Sequence, residues 1–85
     1  MLIRDQIHAA LQAQFDPAEL EVKDVSEDHR GHGGWREGGQ THFDVRIRAA
    51  AFGPMSRLAR HRAVHAALGP ELVGEIHALS LDISA

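Results

Sequence analysis

The sequence predicts an α+β fold: a three-stranded mixed sheet with two main helices on one face, in the order α-β-β-α-β. Three observations carry this. Near the N-terminus, Ile3, Ile7, Leu11 and Phe15 recur at steps of four, the period of one helix face. Over residues 41–49, Phe43, Val45 and Ile47 alternate with His42, Asp44, Arg46 and Arg48, the period of a strand with one buried and one wet side. Between that strand and a closing one lies an alanine-rich stretch without glycine or proline, residues 55–68, long enough to serve as a helical crossover.

The first helix is expected to stop at Asp16-Pro17, because the residue before proline is driven out of the helical region. Residues 20–25, Leu-Glu-Val-Lys-Asp-Val, alternate and then falter at Asp24, which predicts a short edge or half-buried strand. This strand and the next can pair as a hairpin across the segment between them. That segment, EDHRGHGGWREGGQ at 27–40, has neither period and carries five of the eight glycines, so it reads as a loop. A loop of this length is uncommon in a compact domain and is usually functional or disordered. After a turn at Phe52-Gly53-Pro54, the second helix over 55–68 should end at Gly69-Pro70. A further short turn of helix over 70–73 is compatible with proline at its first position. His77, Leu79, Leu81 and Ile83 share one parity, which predicts the closing strand.

Composition limits what such a domain can do. At 85 residues, residues 1–85 read as one domain, and roughly 60% of the unfolded chain's surface can be buried at this size. Cysteine is absent, which excludes disulfides, thiolate metal sites, a thiol nucleophile and any iron-sulfur cluster held by the chain's own sulfurs. No apolar run approaches a membrane span, and Arg4, Asp5 and Gln6 interrupt any signal-like stretch. The expectation is a cytoplasmic protein without membrane contact. The formal charge of −3 is the wrong sign for gripping phosphates over the whole surface, so any nucleic-acid contact must be local. Protonating the seven histidines would reverse that sign, which makes histidine the residue type to follow.

His29 and His32 lie in the glycine-rich segment, where a mobile backbone can bring an imidazole to an ion or a protein, although solvated loop histidines share this pattern. His77 opens the closing strand at the sheet's rim, as a ligand or as a histidine bonded to a backbone carbonyl. His61 and His65 stand four apart on the second helix, the spacing used by zinc helices. Both fall in the arc holding Leu58, Val64 and Leu68, which favours packing over ligation, while Ala59, Ala63 and Ala67 form a competing stripe. His8 beside the first helix's stripe and His42 on the polar face of the second strand read as structural or solvated. Arg57, Arg60 and Arg62 make the second helix basic, with Arg46 and Arg48 adding charge from the strand. This is a candidate surface for nucleic acid or an acidic protein, or a solvated helix face paired to carboxylates. No nucleophile motif, carboxylate pair or phosphate-cradling loop is present, so no catalysis is expected.

In order and spacing, His42-Phe43 opening a strand, Phe52-Gly53 at a turn, Arg60-His61-Arg62 with Val64 and Leu68, Glu71-Leu72, and Ile76-His77-Ala78-Leu79 resemble the BolA family over almost the whole chain. The resemblance implies a topology similar to a type II KH domain. It also implies a partnership with a monothiol glutaredoxin, in which a heterodimer shares a 2Fe-2S cluster and acts in iron-sulfur trafficking or iron signalling. In that arrangement the glutaredoxin and glutathione supply thiolates, and the BolA-like chain supplies a histidine near its last strand and a His or Cys from the loop between the first two strands. His77 matches the former by its Ile-His-Ala-Leu context. His32 matches the latter by its distance to His42-Phe43, with His29 as competitor because this loop departs from the proline-containing loop of many relatives. Imidazole ligands in place of thiolates raise the cluster potential and make ligation proton-sensitive. The family is also linked to transcriptional regulation and DNA binding, which would fall to the KH-like surface and the basic helix.

Overall fold

The computed structural model describes residues 2–25 and 42–85. His29, His32 and the rest of the glycine-rich segment lie outside the described residues. The first helix, α1, spans Ile3–Phe15 and buries Ile3, Ile7 and Leu11, the predicted stripe. It ends where expected: Asp16 adopts a left-handed conformation (φ 45°) and its N–H returns to the Gln12 carbonyl, before Pro17 stops helical propagation.

Three strands follow, β1 (Glu19–Asp24), β2 (His42–Arg48) and β3 (Ala78–Ser84), in the spatial order β1-β2-β3. β1 pairs antiparallel with β2, from Glu19 opposite Arg48 to Asp24 opposite Phe43. β2 pairs parallel with β3, from His42 opposite Ala78 to Arg48 opposite Ser84. The sheet is therefore mixed, and β1 is the half-buried edge strand that its faltering alternation predicts. Parallel pairing demands a crossover. It is supplied by a single 3₁₀ turn at Ala50–Phe52, the helix α2 (Arg57–Leu68) and the short helix α3 (Pro70–Gly74).

Phe43, Val45 and Ile47 of β2 pack with Ile7, Leu11, Phe52, Val64 and Leu68 in one core between sheet and helices. Phe52 also meets Phe15 at a ring-centroid separation of 4.7 Å, which ties the crossover's first turn to the end of α1. On the opposite face the register sets Arg46 between Glu21 and Asp82, and Arg48 bonds Glu19 at 3.2 Å. Of the cationic charge expected from β2, Arg48 is thus paired to a carboxylate of β1, and Arg46 stands in register with carboxylates on both flanking strands.

α2 starts two residues later than expected. It begins at Arg57 because the Ser56 hydroxyl caps it, accepting the Ala59 N–H at 3.1 Å, which satisfies one of the orphan donors of the first turn. Its buried arc runs from Val64 to Leu68, with Ala63 and Ala67 packed against the core, whereas Leu58 is 59% exposed and His65 is exposed. The inward face therefore combines Val64 and Leu68 of one stripe with Ala63 and Ala67 of the other, and Leu58, a turn and a half before Val64, falls outside it. Of the two helix histidines, His65 is exposed and does not pack, while His61 is half-buried. At the far end Gly69 takes φ 84°, a conformation costly for residues with a Cβ, and passes the chain to Pro70.

Candidate functional site

Because β2 and β3 run parallel, their first residues lie at the same end of the sheet. His42 is the first residue of β2, and His77 immediately precedes β3. Their rings meet at a centroid separation of 5.1 Å with planes tilted by 53°, within the range of aromatic contacts. They are unlike in environment. His42 is 4% exposed, the buried polar residue of the described chain, while His77 is exposed.

The burial of His42 departs from its parity, which places it with exposed Asp44, Arg46 and Arg48 on the polar side of β2. One feature of the strand end contributes to the difference: the His77 ring packs against His42. The backbone at His42 is pinned from the other side as well, its carbonyl accepting the Val25 N–H at 2.9 Å. Sequence reasoning treated His42 as structural or solvated. The signal that pairs it with His77 is the register of two parallel strands, legible only once β3 is placed beside β2.

His77 makes no hydrogen bond among the described residues and stands at the rim of the sheet, as its position at a strand start predicts. The chain enters the segment holding His29 and His32 after Val25 and leaves it at His42. Both of those flanking residues belong to the same sheet end as His77. Among the described residues no group of three or more His, Asp or Glu side chains converges as a metal cage. A single exposed imidazole suits iron or zinc as one ligand, so it must be completed by other donors.

The helix histidines are arranged differently. His61 donates from Nδ1 to the Arg57 carbonyl at 3.1 Å, and His65 faces outward. Of the basic residues, Arg60 donates its Nε–H to the Met55 carbonyl at 3.2 Å and is partly buried, which fixes it against the turn entering α2. Arg57 and Arg62 are exposed, and neither forms an ion pair among the described residues. No helix of the described residues is long and apolar enough to cross a membrane.

A family model described as BolA-like protein matches residues 11–85. The chain belongs to the BolA-like family. It is 42% identical over 80 residues to SufE-like protein 1 of Arabidopsis thaliana, covering 89% of this chain and 22% of that protein. The BolA domain of SufE1 from the same plant superposes with a TM-score of 0.81 at 41% identity, covering 95% of this chain and 88% of the solved one. BolA-like protein 1 of Mus musculus is 40% identical over 75 residues, 88% of this chain and 52% of that protein. The DNA-binding transcriptional regulator BolA of Escherichia coli is 37% identical over 81 residues, 95% of this chain and 73% of that protein. This BolA-like chain thus spans about a fifth of the plant protein and about half of the mouse one.

Proposed function

We propose that this BolA-like chain is an adaptor that binds a monothiol glutaredoxin and co-ligates a shared 2Fe-2S cluster, in iron-sulfur trafficking or iron signalling. The observation that carries the reading is His77: an exposed imidazole without a competing hydrogen bond among the described residues, backed by the buried His42 ring. It stands at the sheet end from which the segment holding His32 and His29 departs. In this reading His77 is one ligand and His32 the other, with His29 as the competing loop ligand. The partner and its glutathione supply the thiolates that a cysteine-free chain lacks.

Neutral nitrogen donors raise the potential of such a cluster relative to all-thiolate ligation and release it as they protonate. That combination favours a cluster that is handed on. The test mixes the chain with a cluster-loaded monothiol glutaredoxin and records visible circular dichroism with a sizing trace. The expected result is a one-to-one complex with a new spectrum, which His77→Ala fails to give. An unchanged glutaredoxin spectrum and separate elution of the two proteins would overturn the reading.

A second reading, a DNA-binding transcriptional regulator, is favoured by the similarity to the Escherichia coli regulator and by exposed Arg57 and Arg62 on α2. Its signature is affinity for duplex DNA that falls with salt, with a logarithmic slope of about −0.9 per phosphate neutralised. Replacing Arg57 and Arg62 together by alanine should flatten that slope. Binding that ignores both salt and the substitutions removes α2 from consideration.

A further inference from the structure

We infer that His42 is a positioning residue for His77, holding the exposed imidazole in the orientation in which it reaches an iron atom. The inference rests on the cluster-ligation reading above and adds to it a buried residue behind the ligand. Its grounds are the ring contact and the contrast in burial. A histidine at a strand start, exposed and without hydrogen bonds, has its χ1 and χ2 rotors free unless something packs against the ring. Here the His77 imidazole meets the His42 ring at 5.1 Å with the planes tilted by 53°, and His77 is exposed.

The backing ring is fixed where the backed ring is not. His42 is almost fully buried, is engaged by a further interaction of its own, and begins the central strand. Its backbone lies between the Val25 N–H on one side and Ala78 on the other. Next to it Phe43 is buried in the core, so the chain at this point cannot slide along the sheet without pulling an aromatic side chain out of its packing. An anchored ring under an exposed one turns a freely rotating ligand into a preset one, and less order has to be imposed when a partner docks.

Residues that orient a metal ligand from behind cost about 10–100-fold in metal affinity when removed, and a ring-face contact belongs at the low end of that range. Two substitutions separate packing from polarity. His42→Ala removes the platform; His42→Phe restores a flat ring without nitrogen. In the isolated chain, three-bond couplings and ring-proton contacts of His77 by NMR should show one side-chain rotamer in wild type and averaging in His42→Ala, with the single rotamer recovered in His42→Phe. In the complex with cluster-loaded monothiol glutaredoxin, cluster lifetime should fall about ten-fold in His42→Ala and recover in His42→Phe, with visible circular dichroism following the same order.

Amide spectra establish that each variant is folded before either comparison. The inference is overturned if His77 keeps a single rotamer in folded His42→Ala. It is equally overturned if folded His42→Phe behaves as His42→Ala, because the ring face is then not what holds His77. The ligation reading fails separately, when His77→Ala leaves the spectrum of the complex unchanged, and the NMR comparison in the isolated chain still decides the orienting role.

Discussion

Two pairs of histidines occupy this small domain, and they differ in how proximity arises. His61 and His65 are neighbours by helical period, yet one bonds the backbone of its own helix and the other faces solvent. His42 and His77 are far apart in the sequence, yet their rings touch. Spacing along one element fixes only that two side chains share a face; which way the face points depends on packing against the rest of the molecule. Parallel pairing of β2 with β3 does more, because it brings the starts of two strands to one sheet end, where His77, just before Ala78, meets buried His42.

The comparison can be broken most severely from below. Phe43→Ala, adjacent to His42 in the core, should cost about 3–5 kcal/mol, a large part of the stability of a domain this size. Chemical denaturation would show a lowered midpoint, and NMR under native conditions would lose the His42–His77 contact together with the sheet. The His61–Arg57 hydrogen bond, local to α2, has no such dependence on Phe43 short of global unfolding.

Smaller changes sharpen the contrast. His42→Ala should destabilise by about 1–3 kcal/mol, the range for disturbing a buried, partnered polar group, read as a shift in the same denaturation midpoint. Ser56→Ala removes the cap of α2 and should cost about 1 kcal/mol, measurable by thermal unfolding. That loss should leave the His77 rotamer unchanged, since the sheet end does not depend on the cap. At the bottom of the scale, His65→Ala should stay within about 0.5 kcal/mol of wild type, and a larger loss would mean that α2 buries its histidine side after all.

Most of the framework was legible because its signals are strong and local. The four-residue stripe of α1, the alternation of Phe43, Val45 and Ile47, and the stops at Asp16-Pro17 and Gly69-Pro70 each have a steric cause acting within a few residues. The rotation of α2 was legible only in part, because its two apolar stripes lie side by side. The core takes Val64 and Leu68 from one and Ala63 and Ala67 from the edge of the other, and leaves Leu58 exposed. At the site, His77 was placed correctly at the rim of the sheet. The burial of His42 was missed because strand parity speaks only for residues flanked on both sides by strand, and His42 is the first of its own. His29 and His32 lie outside the described residues.

The parallel pairing of β2 with β3 also has a consequence in time. β1 and β2 leave the ribosome early, but the residue that completes the ring pair follows the whole of α2 and α3. Contacts that close over such a long stretch of chain form later than those within a helix or between adjacent segments. The meeting of the two imidazoles is therefore expected late in folding, and a chain whose crossover has not closed offers His42 without His77. Formation of that ring contact would serve as a clock for the final docking of β3, readable by refolding the chain and following the histidine ring protons.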